Sequence, residues 1–413
     1  MNIRITKAPQ GGSISVPGSK SMAQRLMLAW ALTTKECCVS AHSEADDVTA
    51  MAGCVREIFD AVYRKKETIE EPLKVKESAA VLRFIMPVLG ALGISADLRM
   101  EGRLSERPMD VYISQLAQHG MKITRSEGDV IHTEGQLLGG IFELPGDQSS
   151  QFISGLLMAL PLIGENSEIK VIGEIQSRPY VDMTLEVLRM SGIDIIEEEP
   201  GNFYIPGGQK YSLEGEFDAE GDWSSAAFWL SMGAASVRGT RITVSGMDPA
   251  SLHGDREIMR LLSEMGTEIS WEGQAVTAEA HDLRAGIIDA RNVPDLVPAL
   301  IIASVKAEGK TTIMNAERLR LKESDRIEAA ADVLRNLGAL VNTRPDGLEI
   351  FGGHRLHGGR VSAHGDHRIA MMAAGLKCFC DGDIEIEGAE CASKSYPGFW
   401  EDYRALGGQW EEI

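Results

Sequence analysis

Long uninterrupted apolar runs are missing from this 413-residue chain, so no segment reads as a bilayer-spanning helix. The first residues, Met1-Asn2-Ile3-Arg4-Ile5-Thr6, lack the apolar core of a signal peptide. Cysteine is sparse: Cys37, Cys38, Cys54, Cys378, Cys380 and Cys391. Their spacing matches neither a secreted disulfide framework nor zinc ligation with histidine. Reduced thiols and a cytoplasmic setting are expected, with no metal and no cofactor. Positive charge is short as well: 41 Lys and Arg stand against 61 Asp and Glu, a net charge of −20. That balance excludes general attraction to nucleic acid. A small anion could bind only where cations are concentrated against the background. Low-complexity linkers are lacking too, so domain boundaries need another signal. Apolar content of 44% and charged content of 25% fit a soluble chain with two or three cored domains.

What is present begins with Pro17-Gly18-Ser19-Lys20-Ser21-Met22-Ala23-Gln24-Arg25. It closes a strand-like run, Ser13–Val16, and opens an apolar helical segment. Pro17 and Gly18 break the strand, and Ser19 or Ser21 can cap the helix. Unpaired N–H groups and the helix dipole make that end receptive to an anion, and Lys20 and Arg25 add two full charges. An ordinary helix start with two solvated cations is the alternative. A Walker A loop is excluded, because Ser19 separates Gly18 from Lys20 and the glycine spacing fails.

An internal repeat organises the rest. Helix-like segments ending in Leu-x-x-x-Gly, each followed by a strand pattern, stop at Gly120, Gly192, Gly266 and Gly338, with a worn copy at Gly407. One step earlier lies the amphipathic segment Met51–Ile69, without the glycine. A glycine there supplies the left-handed cap that turns a helix into a strand. A second, nearly all-apolar helix type recurs between these. Its members start near Ser19-Lys20-Ser21, Lys76-Glu77-Ser78, Gln148–Gln151, Asp222–Ser225, Asp295 and Asp366-His367-Arg368. Helices apolar all round are buried. Six such units imply layered α/β domains, with polar helix starts gathered at one end of each domain.

Together these motifs identify the chain as resembling the 5-enolpyruvylshikimate-3-phosphate (EPSP) synthase family of enolpyruvyl transferases. The marks, in order, are Pro17–Ser21 with Arg25, Glu106-Arg107-Pro108, Ser149–Phe152, Ser177–Tyr180, Pro294-Asp295, Lys322–Arg326, Asp366–Arg368 and Lys394. The resemblance implies an α/β (α+β) fold of two similar domains, each of three βαβαββ units with buried parallel helices. It places one domain at 19–221 and the other at 1–18 plus 222–413, with the active site in the cleft between them. It also implies closure of the domains on shikimate 3-phosphate.

The implied activity is that of a 3-phosphoshikimate 1-carboxyvinyltransferase, a step of the shikimate pathway toward chorismate and aromatic amino acids. The 5-hydroxyl of shikimate 3-phosphate adds to phosphoenolpyruvate, and phosphate then leaves. By matched position, Lys20, Ser21, Arg25, Ser149, Ser150, Gln151, Ser177, Tyr180, Asp295 and Lys322 contact shikimate 3-phosphate. Lys20, Ala79, Arg107, Gln151, Arg326, Arg368 and Lys394 contact phosphoenolpyruvate. Arginine suits both anions through its planar paired N–H groups. Asp295 is the expected base and Glu323 the expected acid, with Lys20 and Lys394 as further catalytic groups. Asp295 could instead cap a helix after Pro294, and Glu323 could be a solvated residue ahead of a helix capped by Asp325. His367 is taken as support for Arg368. The expected partners are the two small substrates alone, with no nucleic acid or membrane, and the chain is expected to be a monomer.

The loop Glu77-Ser78-Ala79-Ala80-Val81-Leu82-Arg83 departs from the family's usual Asn-Ala-Gly-Thr-Ala-x-Arg. The Ala79 methyl is expected to admit phosphoenolpyruvate and crowd the longer competitor glyphosate. Arg318 stands where some members carry asparagine. Two alternatives stay open. One is a UDP-N-acetylglucosamine enolpyruvyl transferase, which usually carries a reactive cysteine near 103–107, where this chain has none. The other is a non-catalytic repeat protein that binds phosphorylated ligands, which would not need Asp295 and Glu323.

Overall fold

The repeat seen in the sequence is a physical unit, best displayed by residues 287–352. Strand Ile287–Asp289 leads through a buried helix, Val297–Lys306, to a parallel neighbour, Gly309–Met314. A second helix, Arg326–Asn336, then leads to the antiparallel hairpin Leu340–Arg344 and Gly347–Gly352. Parallel neighbours need a crossover, and the apolar helix supplies it while covering one sheet face. The computed structural model describes residues 1–126 and 129–413. The chain forms two compact units, Met1–Ser19 with Glu220–Ile413, and Lys20–Ala219.

In the first unit three four-stranded sheets share this plan. The N-terminal strands complete two of them. Asn2–Lys7 pairs antiparallel with Ile384–Glu387 and Gln409–Glu412, and Gly12–Ser15 pairs parallel with Arg241–Ser245. The segment Lys20–Ala219 is therefore inserted between strand Gly12–Ser15 and the helix Trp223–Ala235. Backbone bonds close the splice: Ser19 N–H donates to the Glu220 carbonyl at 2.6 Å and Asp222 N–H to the Pro17 carbonyl at 2.9 Å. The helix Trp223–Ala235 is buried along its whole length. It packs against Val297–Lys306 and His367–Leu376, which also pack on each other.

In the second unit two sheets repeat the plan, Thr68–Lys76/Ser95–Met100/Val130–Glu134/Lys122–Ser126 and Gly140–Pro145/Ser167–Ile172/Asn202–Ile205/Ile196–Glu199. The third is only a parallel pair, Cys37–Ser40 with Gly215–Asp218. The helix Asp46–Arg64 runs almost directly into strand Thr68–Lys76, which leaves no chain for a hairpin. This unit departs from the expected βαβαββ pattern in that respect.

The helix Ala79–Leu92 packs tightly on Ser150–Ala159. Gly155 permits the approach, since a Cβ there would lie 2.3 Å from the Arg83 carbonyl oxygen. The helix Lys20–Leu32 instead packs against Asp46–Arg64 and Arg178–Met190. The five repeat glycines take φ of +95° (Gly120), +71° (Gly192), +110° (Gly266), +88° (Gly338) and +85° (Gly407), the left-handed turn their position required. Lys65 makes the same turn at φ +55° in the copy without glycine. Among the described residues no helix is long and apolar enough to cross a membrane, and all six cysteines are free thiols.

Candidate active site

The first unit concentrates seven charged residues, Asp295, Lys322, Glu323, Arg326, Asp366, Arg368 and Lys394, in one buried constellation. Four local structures deliver them, Lys394 from the end of the 3-10 segment Ala389–Lys394. Asp295 lies in the 3-10 turn Pro294–Leu296 at the start of a buried helix. Lys322 and Glu323 follow the 3-10 segment Glu317–Leu321, and Arg326 opens the helix capped by Asp325, whose carboxylate accepts from Glu328 N–H at 3.2 Å. Asp366 caps the helix His367–Leu376 by accepting the Arg368 N–H at 2.9 Å.

Arg326, 2% exposed, is the hub. Its guanidinium donates to Asp366 at 2.7 and 3.3 Å, to Asp295 at 2.8 Å and to Glu323 at 2.7 Å. Lys322 Nζ lies 3.3 Å from Asp295 Oδ1, and Arg368 Nη2 lies 3.5 Å from Asp295 Oδ2. Arg368 also donates to the Asp295 carbonyl at 3.1 Å. Lys394 Nζ stands 3.7 Å from Glu323 Oε1. Asp295 stands inside its turn, where Val293 holds the N-cap position, and Glu323 is 14% exposed and paired with Arg326 rather than solvated.

Burial alone would push the Asp295 carboxyl up. The charges of Arg368, Lys322 and Arg326 outweigh it and hold the group well below the usual carboxylate range. Burial pushes the Lys322 ammonium down to about 8, against the pull of Asp295. Burial also works against charge on Arg326, but Asp366, Glu323 and Asp295 overcome it and raise its affinity for the proton. Behind Asp295 sits Asp255, fully buried, accepting a hydrogen bond from the Ser224 hydroxyl at 2.5 Å. Its carboxyl is pushed up by burial, with the Asp295 charge adding to the effect.

The second unit carries the other expected residues. Lys20, the first residue of helix Lys20–Leu32, pairs with Asp47 at 2.8 Å. The Gln24 amide donates to the Asp47 carbonyl at 3.2 Å and to Ser78 Oγ at 3.3 Å. This ties Lys20 to the helix start at Ala79, which is 4% exposed. Arg25 is 2% exposed and donates to the Ser21 carbonyl at 2.6 Å, the Tyr180 carbonyl at 2.8 Å and Thr184 Oγ1 at 2.8 Å. Burial pushes it down to about 10. Ser177 precedes helix Arg178–Met190 at φ +57°, a conformation a serine rarely holds without cause. Arg178, inside the same motif, is committed to Glu197 at 2.6 and 2.7 Å and to Asp182 at 2.7 Å.

Ser149 caps helix Ser150–Ala159, accepting the Gln151 N–H at 3.2 Å. Arg83 joins this group: it donates to Ser149 Oγ at 3.3 Å, Gln151 Oε1 at 2.8 Å and the Pro108 carbonyl at 3.4 Å. Its guanidinium lies over the Phe152 ring at 4.8 Å. Arg107, next to Pro108, is half-buried. Sequence reasoning quoted Arg83 without giving it work, and passed over Asp47, Asp255 and the ion-pairing role of Asp366. For Arg83 and Asp366 the signal was there, since both stand inside motifs already singled out.

An EPSP synthase (3-phosphoshikimate 1-carboxyvinyltransferase) family model matches residues 5–403. The 3-phosphoshikimate 1-carboxyvinyltransferase of Clostridium kluyveri is 36% identical over 99% of this chain and 98% of its own. That of Brachyspira hyodysenteriae is also 36% identical, over 98% and 99%. The solved EPSP synthase of Acinetobacter baumannii, at 23% identity, shares the fold with a TM-score of 0.81 and full coverage of both chains. The enolpyruvyl transferase NikO of Streptomyces tendae, at 17% identity, does so with a TM-score of 0.79 over all of this chain and 98% of its own. With the repeat architecture and the clustered motif residues, these matches show that the chain belongs to the EPSP synthase family.

Proposed function

We propose that this chain transfers the enolpyruvyl group of phosphoenolpyruvate to the 5-hydroxyl of shikimate 3-phosphate and releases phosphate. The observation that carries the assignment of roles is the pairing of two acids with four cations. Asp295 meets Lys322, Arg326 and Arg368, and Glu323 meets Arg326 and Lys394. Addition and elimination need carboxylates that move protons beside the cations, which phosphate binding alone does not require.

Lys20, Ser21, Arg25, Ser149, Ser150, Gln151, Ser177, Tyr180 and Lys322 take shikimate 3-phosphate. Lys20, Ala79, Arg107, Gln151, Arg326, Arg368 and Lys394 take phosphoenolpyruvate, and Arg83 orients Gln151. The 5-hydroxyl oxygen bonds to C2 of phosphoenolpyruvate while its proton passes to Asp295 and C3 receives a proton from Glu323. The tetrahedral adduct then loses phosphate from C2, which takes the proton held by Asp295, and a proton from C3, which returns to Glu323.

Asp295 is a poor base while three cations surround it. Anionic substrates that engage those cations weaken their hold on Asp295, so its proton affinity rises when the substrates arrive. The base is thereby switched on by the complex. The same reading has no cofactor, and one copy of the chain working in the cytoplasm. Phosphate release from the two substrates mixed, absent with either alone and abolished by Asp295→Ala, tests it. Release from phosphoenolpyruvate without an acceptor would refute it.

A further inference from the structure

Lys394 ends the 3-10 segment Ala389–Lys394, and its charge is nearly buried beside Glu323. The turn that carries Lys394 continues two residues on. Tyr396 N–H donates to the Ala392 carbonyl at 2.9 Å, so residues 392–396 form one closed helical turn. Pro397 then restricts the backbone further. The Tyr396 ring is 2% exposed and meets Trp229 and Phe399 edge-on, at 6.1 and 5.7 Å.

Its hydroxyl is used in both directions. It accepts the Trp229 indole N–H at 3.2 Å and donates to Asp402 Oδ2 at 2.5 Å. Trp229 lies on the fully buried helix Trp223–Ala235, and Asp402 on the helix Phe399–Ala405. One phenol thus pins the turn that carries Lys394 to two separate helices. Packing alone would need a ring; it would not need an oxygen bonded on both sides in an aromatic cluster.

We propose that Tyr396 is a positioning residue for Lys394: its doubly bonded hydroxyl fixes the 392–396 turn, and so fixes where the Lys394 ammonium meets phosphoenolpyruvate. The inference rests on the enolpyruvyl-transfer reading above, and acts through Lys394 rather than on substrate. Tyr396→Phe keeps the ring and removes only the tether.

The test measures kcat and both KM values for wild type, Tyr396→Phe, Lys394→Met and the double variant, with thermal midpoints as a folding control. The expected result for Tyr396→Phe is a fall of about tenfold in kcat/KM for phosphoenolpyruvate, the size of one lost positioning contact. KM for shikimate 3-phosphate should stay within about twofold, and the same substitution should have little further effect in the Lys394→Met background. Equal losses toward both substrates, no loss, or a full loss persisting without Lys394 would overturn the inference. A wild type that releases no phosphate would instead overturn the transfer reading, and this inference with it.

Discussion

Lys322 gives the account a proton signature. Its ammonium is pushed down to about 8 by burial, so near pH 8 about half of the unliganded molecules carry it neutral. The 3-phosphate that Lys322 is proposed to hold stays doubly charged across this range, because its second ionisation lies near 6. Seating that dianion on the amine favours the ammonium and raises its proton affinity. Binding must then take up about half a proton at pH 8, about a tenth at pH 7, and nearly a whole one at pH 9. Affinity for shikimate 3-phosphate falls with the neutral fraction, by about tenfold between pH 7 and pH 9. Arg25, pushed down only to about 10, adds at most about a tenth of a proton at the top of that window.

Isothermal calorimetry in two buffers of different ionisation enthalpy reads the proton number directly. Lys322→Gln should abolish the uptake and flatten the pH dependence. Uptake that is absent in wild type, or unchanged in Lys322→Gln, would refute both the placement of the phosphate and the electrostatic argument.

Three further outcomes follow from the same geometry. Arg326→Met leaves Asp295, Glu323 and Asp366 without their hub and should cost about 3–5 kcal/mol at pH 7 by denaturant unfolding. The loss should shrink as pH falls and those carboxylates accept protons; a loss independent of pH would contradict the network. Gly155→Ala drives a methyl into the Arg83 carbonyl, so overpacking of about 1–3 kcal/mol should exceed the roughly 1 kcal/mol gained in helix propensity. Its readouts are a lower thermal midpoint and a raised KM, and a stabilised, fully active variant would count against the close approach. Ala79→Gly should tighten glyphosate inhibition while leaving KM for phosphoenolpyruvate nearly unchanged, and equal tight inhibition of both forms would dismiss the role of that methyl.

Local signals in the sequence carried much of the architecture. Gly120, Gly192, Gly266 and Gly338 mark helix ends because a left-handed turn favours the residue without a Cβ. Apolar runs behind polar starts at Ser149, Asp222 and Asp366 are buried helices with working caps. Pairings between distant residues were not legible in the periodicity, and the grouping of 1–18 with 222–413 came from the resemblance alone. Strand Gly12–Ser15 and helix Trp223–Ala235 belong to one unit of the fold, yet the whole of 20–219 separates them. Lys65 adopts the turn that glycine makes elsewhere, so that copy showed its helix pattern without the glycine mark. At the site, residue types foretold the cations but not their partners. Asp47 beside Lys20, Asp366 beside Arg326 and Arg83 beside Gln151 meet only through folding. Asp295 was legible as a cap or a base, but its three cationic neighbours were not.

The central claim is that the chain moves a three-carbon enol unit between two anions. Phosphoenolpyruvate labelled with carbon-13 at C2 and C3, mixed with shikimate 3-phosphate and followed by NMR, tests it most directly. The account predicts new vinyl-ether resonances growing in step with inorganic phosphate, and none when unphosphorylated shikimate or UDP-N-acetylglucosamine is the acceptor. Labelled pyruvate instead of the vinyl ether, or equal transfer to UDP-N-acetylglucosamine, would contradict it.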